Sequence, residues 1–334
     1  MSANTSPIRE FHLFAGIGGG IYGGHLLGHE CCAGVEINDF CKKVLGQRQQ
    51  DGWLKPFPIY DDITKLDGEE FKGSFDVLCG GFPCQAFSHA AHGKNIAEKN
   101  LWSYMLDFVS KSEAPIVFGE NVVFKAIFKA KEDLEDLGYK VTMCRLSCKD
   151  LGADHQRNRF WLMAVKDMAV FKKLAQSIEA LPKFCGGVWT QNPNEIEYPA
   201  EVTDRRKQLT GIGNAQSPLV AAVAFRILTK RHLLKNFSPD NASEAEISNE
   251  FVKLPTWINK KYGIVGGIHT PTTMANYACK SMMKHSSCVN FVKIFGNPEP
   301  LNGEYLMGMP IGITSPNPVS SEQLKTWTLQ TYTE

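Results

Sequence analysis

The first 165 residues alternate between short apolar runs and stretches of helical character, and this alternation constrains the fold more tightly than any other feature. REFHLFAG (9–16), CCAGVEI (31–37), FPIYDDI (57–63), FDVLCGG (75–81) and PIVFGEN (115–121) have the length and residue types of strands. DFCKKVLGQRQQ (39–50) and LWSYMLDFVSKS (101–112), lying between them, suit helices. Near-continuous apolar strands separated by helices imply a parallel sheet covered on both faces. YKVTMCRLSC (139–148) and NRFWLMAV (158–165) read as two further strands, expected to close the sheet as an antiparallel pair. The fold class is therefore α/β, with a mostly parallel sheet.

Beyond this region, NAQSPLVAAVAFRILTKRHLL (214–234) predicts a helix with Ser217 as N-cap and Pro218 in its first turn. The polar stretch NFSPDNASEAEISNE (236–250) reads as a linker. Residues 251–334 are rich in Gly, Pro and Thr, show little helical period, and are expected to form a smaller, loop-rich region. At 334 residues, 43% hydrophobic and 21% charged, the chain has the composition of a globular protein. No apolar run is long enough to cross a bilayer, and the start lacks a secretory pattern, so a soluble, cytoplasmic protein is expected. The ten cysteines form no paired CxxC motifs, so no metal is expected and the thiols are expected to be reduced. A net charge of +1 says little, but Arg205, Arg206, Lys207, Arg226, Lys230, Arg231 and Lys235 cluster in sequence. Such a run is either a phosphate-facing surface or a solvated helix face.

FAGIGGG (14–20) follows the first strand, where glycines let the backbone approach a bound nucleotide. Glu36 stands twenty residues after Gly16 at the end of the second strand, the place of a ribose-binding carboxylate. Asp62, at the end of the third strand, is placed to meet an adenine amino group or to cap a helix. The phosphate-clamping lysine of GxxxxGK[ST] is missing, so these residues fit a dinucleotide and S-adenosylmethionine equally well. CGGFPCQAFS (79–88) puts Cys84 after a proline at the end of an apolar run, either as a buried thiol or as a nucleophile at a sheet edge. Pro83 restricts Phe82 to extended geometry and fixes the turn before the cysteine.

Taken in order, FAGIGGG, GGFPCQAFS, GENV (119–122), HQRNRFW (155–161) and GIGNAQSP (211–218) resemble the blocks of the DNA cytosine-C5 methyltransferases, over residues 9 to 228. The resemblance implies a Rossmann-like S-adenosylmethionine-dependent methyltransferase fold and transfer of a methyl group to C5 of cytosine in double-stranded DNA. It implies that Cys84 is the nucleophile that adds to C6 of a flipped base. A free thiol near its ordinary pKa of ~8.5 is mostly protonated, so positive surroundings would raise the reactive fraction. Glu120 would meet the N3 edge and amino group of the base, with Asn121 helping to hold it. Arg159 would hold O2, and Arg157 would hold the Cys84 loop or a phosphate. By the same resemblance Phe14, Ala15, Gly16, Ile17, Gly18, Gly19, Glu36, Ile37, Asp62, Ile63, Gly81, Pro83, Leu101, Asn214 and Ala215 bind the cofactor. Gly93 and Lys94 match a loop that closes over the base.

The pattern departs from the family at His12, where Asp is usual, at His155, where Gln is usual, and in AEKN before Leu101. Only residues 162–210 separate the arginine and asparagine blocks, a short span for reading bases in a groove. LNGEYLMGMPIGITS (301–315) resembles a family piece that normally precedes the asparagine block. The resulting expectation is a catalytic domain over 1–235, a linker over 236–250 and a target-recognition region over 251–334. Lys260, Lys261, Asn276, Lys280 or Lys284 would then face the major groove. A monomer is expected, with a restriction endonuclease as a functional but not a stable partner. RNA methylation, transfer of an altered alkyl group, and a catalytically silent DNA-binding homologue stay open.

Overall fold

The structure, a computed structural model, describes residues 6–83, 101–264, 267–272 and 279–333. Its centre is a seven-stranded sheet in the order β3-β2-β1-β4-β5-β7-β6. The strands are β1 (Arg9–Leu13), β2 (Glu30–Val35), β3 (Ile59–Tyr60), β4 (Val77–Gly81), β5 (Ile116–Asn121), β6 (Lys140–Ser147) and β7 (Asn158–Val165). β1 to β5 run parallel, while β7 lies antiparallel between β5 and β6. This is the Rossmann-like α/β arrangement expected from the alternation, including the antiparallel closing pair.

Strand order reverses between β1 and β4, so a crevice opens at the carboxyl ends of β1, β2, β4 and β5. The helices α1 (Gly19–Leu26), α2 (Asp39–Gln50), α3 (Leu101–Ser112), α4 (Phe124–Asp136) and α5 (Met168–Glu179) cover the sheet. Two apolar cores result. One gathers Phe11, Leu78, Phe108, Ile127 and Leu162 under α3 and α4. The other lies under α1, α2 and α5 and extends into the C-terminal residues. α6 (Arg205–Asn214) then leads to α7 (Pro218–Leu233), which starts at the expected Ser217 and Pro218. α7 is apolar almost all round because it is enclosed by the second core.

The basic run does not form one phosphate-facing surface. Arg226 and Arg231 are buried: Arg226 pairs with the fully buried Glu250 at 2.5 Å, and Arg231 with Glu246 at 2.6 Å. Lys230 also pairs with Glu250. Both acids belong to α8 (Glu244–Glu250), which begins in a capping box at Ser243 within the polar 236–250 stretch. The buried arginines of α7 therefore anchor that stretch to the core.

Residues 251–333 hold more helix than their composition suggests. They contain α9 (Trp257–Tyr262), α10 (Ser286–Phe295), α11 (Pro300–Leu306) and α12 (Ser321–Thr331). Helices this short are marginal alone and depend on packing, so a sequence window cannot show their period. Phe291, Tyr305, Leu306, Met307 and Trp327 enter the same core as α7. A small pairing of β8 (Phe184–Cys185) with β9 (Phe251–Val252) ties this region to the segment after α5. Arg48 on α2 is fully buried and donates to the carbonyls of Gly312 and Asn317 at 2.9 and 2.5 Å.

Candidate active site

The glycine loop begins with a backbone that most residues avoid. Phe14 has φ 56°, a left-handed value rare outside glycine and often found at functional sites. Gly16 and Gly18 continue the turn at φ 56° and 93°, and α1 begins directly after them. Ile17 is fully buried beneath the loop. Gly19 permits a close approach, because a Cβ there would lie 2.3 Å from the carbonyl oxygen of Gln216. The loop therefore packs directly on the segment that follows Asn214 and Ala215.

Glu36 latches this loop from the next strand. Its Oε2 accepts from Gly16 N at 2.6 Å and its Oε1 from Asn38 N at 2.8 Å. A carboxylate held by main-chain donors has a fixed place and keeps lone pairs for further hydroxyl donors. Phe14, Gly16, Glu36, Asn214, Ala215 and Gly81 line a cleft of about 1030 Å³. Ile37 is 71% exposed just past β2, an apolar side chain left open at the strand end. Asp62 caps a short 3-10 turn containing the buried Ile63, its Oδ1 accepting from Thr64 N at 3.0 Å. Leu101 opens α3 half-buried.

Across the cleft, β4 and β5 run in register with Gly81 beside Glu120. Cys84 itself lies outside the described residues, as do Gly93, Lys94 and Asn276. The chain leading towards Cys84 is held in place: Asn121 Nδ2 donates to the Phe82 carbonyl at 2.8 Å, and Pro83 follows in the cleft wall. Asn121 thus braces the Phe82 turn, and no bond links it to the Glu120 carboxyl among the described residues.

Glu120 is 7% exposed. Its Oε2 accepts from Gln216 Nε2 at 3.2 Å. Its Oε1 lies 2.9 Å from Arg159 Nε, yet no donor is aligned on that oxygen. The pairing there is chiefly charge on charge, and it holds the guanidinium at the cleft.

Arg157, two residues earlier on the approach to β7, does different work. It is 5% exposed and donates to the carbonyls of Pro271, Gly213 and Ala215 at 2.9, 2.7 and 2.9 Å. A surface phosphate contact does not fit that burial. Arg157 instead fixes the loop carrying Asn214 and Ala215.

Two histidines mark departures from the family pattern. His12 Nε2 lies 2.8 Å from Glu10 Oε2, and His29 Nδ1 lies 2.7 Å from Glu10 Oε1, all buried. Burial pushes the Glu10 carboxyl up, but the charges and hydrogen bonds of His29 and His12 outweigh it and hold it at about 2. Glu10, His12 and Cys79 also bring potential metal-ligating atoms within 4.8 Å of one another. Both Glu10 oxygens are already taken by imidazoles, so the group is satisfied without an ion. His155 is fully buried, and among the described residues neither ring nitrogen is hydrogen-bonded. Burial, reinforced by the charges of Arg157 and Arg159, lowers it to about 3.

Gln216 and Arg206 were not legible as site residues. Arg206 lines the cleft from α6, while its neighbours Arg205 and Lys207 pair with Glu299 and Asp204. Gln216 follows the asparagine block, and only the three-dimensional packing of distant glycines against it marks the position.

A carboxyl-edge cleft with a glycine loop and strand-end acid on one side, and a Glu–Arg pair on the other, lies where Rossmann-like folds bind nucleosides. Residues 8–222 match the family model of the C-5 cytosine-specific DNA methylases, more than half of the chain, and the chain belongs to that family. It is similar to type II methyltransferase M.MspI of Moraxella sp, 30% identical over 175 residues, which cover 48% of this chain and 40% of that protein. Type II methyltransferase M.CviJI of Paramecium bursaria Chlorella virus IL3A is 30% identical over 167 residues, covering 47% and 43%. Type II methyltransferase M.HaeII of Haemophilus aegyptius is 30% identical over 176 residues, covering 49% and 52%. The matched region thus spans about half the length of these relatives or less. Among the described residues, no helix is long and apolar enough to cross a membrane.

Proposed function

We propose that the chain transfers a methyl group from S-adenosyl-L-methionine to C5 of cytosine in duplex DNA. The observation that carries this reading is the register of Gly81 beside Glu120, which sets the turn towards Cys84 next to the Glu120–Arg159 pair. The cofactor fits the opposite wall: the cleft has room for a nucleoside, the Gly16–Gly19 backbone allows close approach, and Glu36 keeps acceptor capacity for ribose hydroxyls. Bound there, the cofactor supplies an electrophilic methyl on a sulfonium.

Phe14, Gly16, Glu36, Asn214 and Ala215 would hold the cofactor, with Ile37 offering an apolar face to its base. The Cys84 thiolate adds to C6 of the extruded cytosine, which makes C5 nucleophilic. Glu120 meets N3 and the amino group and offsets the charge that develops on the ring. Arg159 turns from Glu120 towards O2. Once C5 has received the methyl group, its proton would pass to water and the Cys84 sulfur would leave as thiolate, which restores the ring. One chain supplies both walls, which supports action as a monomer.

We place target choice in residues 251–314. Lys260, Lys261, Lys280 and Lys284 are exposed there and have no carboxylate partner among the described residues, as a phosphate or base contact requires. Labelled-methyl transfer to duplex DNA and to RNA tests the reading. Transfer to duplex cytosine, with covalent trapping by 5-fluorocytosine that Cys84→Ser abolishes, is expected. Transfer to RNA alone, or full activity in Cys84→Ser, would overturn it.

A further inference from the structure

Gln216 sits where three otherwise separate parts of the site meet. Its side-chain Nε2 donates to Glu120 Oε2 at 3.2 Å. A Cβ at Gly81 would lie 2.8 Å from that same nitrogen, and a Cβ at Gly20 would lie 2.7 Å from its Oε1. Its main-chain oxygen covers Gly19. The amide therefore spans from the first turn of α1, past the end of β4, to the carboxyl on β5. Glycines from two distant sequence blocks leave the space it occupies.

The backbone on both sides of Gln216 is fixed. The preceding carbonyl, of Ala215, accepts from Arg157 at 2.9 Å. The following residue, Ser217, donates from Oγ to the Met307 carbonyl at 2.8 Å. A side chain on so constrained a backbone has few alternative placements, which is how a neighbouring group gains preorganisation. Its amide also suits both states of its partner: NH2 donates to a carboxylate, and after a flip the carbonyl accepts from a carboxylic acid.

We propose that Gln216 is a positioning residue that locks Glu120 to the cofactor loop, so that the carboxyl is aimed at the base only when that loop is in place. This rests on the reading of Glu120 as the group that meets cytosine N3. Among the described residues, the charged and titratable groups around Glu120 include Arg159 from β7, and Glu10 and His12 from β1 and Cys79 from β4, which line the same small cavity as Gln216. Of these, Arg159 pairs with Oε1 and Gln216 with Oε2, so each oxygen has its own restraint.

The test compares Gln216→Met, which keeps bulk and removes the amide, with Gln216→Glu, which replaces the donor by a second carboxyl. In Gln216→Met, kcat is expected to fall about 10- to 100-fold while KM for DNA stays unchanged, as for an interaction used in the transition state. In Gln216→Glu kcat is expected to fall at least as far, since a second carboxyl repels Glu120 instead of donating to it. Calorimetry on the DNA-free protein adds a readout apart from activity: S-adenosylmethionine affinity falls in both variants, because the loop loses its brace. An active wild type whose variants keep kcat and cofactor affinity would overturn the role of Gln216 alone. A wild type that transfers nothing to cytosine while both variants lose cofactor affinity would overturn the Glu120 reading and leave the loop brace standing.

Discussion

On the wall of the cleft built from β1 and β2, Glu36 receives two main-chain N–H groups. On the wall built from β5 and β7, Glu120 meets, among the described residues, two side chains, the Gln216 amide and the Arg159 guanidinium. Main-chain donors cannot leave, so Glu36 is fixed as part of the loop and suits ground-state binding. The Arg159 guanidinium can rotate away while Gln216 holds the other oxygen, so Glu120 can exchange one partner when a base arrives, which suits the reacting role proposed for it. The same carboxylate thus takes a binding or a reacting role according to what holds it.

The contrast is broken most severely at Glu120. Glu120→Gln keeps the shape but cannot deliver a proton, so methyl transfer is expected to fall by about 10²–10⁴-fold. Calorimetric affinity for S-adenosylmethionine should stay at the wild-type level. A loss in transfer under about tenfold would mean that Glu120 acts only in binding. Next in size is Arg157, whose guanidinium holds three carbonyls. Arg157→Met leaves those acceptors unpaired in a buried place, and denaturant unfolding should show a loss of about 3 kcal/mol. Arg159→Met should leave stability nearly intact while slowing transfer. Equal stability losses at both sites would erase the distinction between them.

The smallest of the binding-side effects concerns Glu36. Glu36→Ala is expected to weaken S-adenosylmethionine binding by about 1–3 kcal/mol, through unpaired ribose hydroxyls and a loosened Gly16. Transfer at saturating cofactor should recover. Unchanged affinity in calorimetry would reduce the Glu36–Gly16 contact to a turn brace.

Legibility followed the range of the interactions. α2 begins and ends where DFCKKVLGQRQQ does, between the caps Asn38 and Asp51, and α3 ends where LWSYMLDFVSKS does. β7 matches NRFWLMAV end to end. Glu36 was placed by its spacing from Gly16, and the two residues are bonded. What escaped depends on contacts between distant segments. α10, α11 and α12 are stabilised by the shared core, and Arg157 takes its role from Pro271 and Ala215. The basic run reads either as a phosphate-facing surface or as a solvated helix face, yet Arg226 and Arg231 are buried against Glu250 and Glu246, which sit in a stretch that reads as linker. Gln216 was invisible for the same reason, since its partners come from residues near 20, 81 and 120.

The last test compares two buried titratable groups. Glu10 is matched by two imidazoles, whereas His155 has no hydrogen-bond partner among the described residues and lies near two guanidiniums. Burial first, then the charges of Arg157 and Arg159, lowers His155 to about 3, while an unfolded histidine titrates near ~6.5. Below that unfolded value the unfolded chain binds a proton that the folded chain refuses. The stability this group permits is therefore complete above ~6.5 and is lost progressively as pH falls towards about 3. His155→Leu removes the proton site and an unsatisfied polar ring together. Its unfolding free energy should match or slightly exceed wild type at pH 8, and should exceed it by about 1–2 kcal/mol more at pH 5. Urea unfolding at the two pH values measures the difference. If wild type and variant lose the same stability between them, His155 is protonated in the folded protein and has a partner that neutralises its charge.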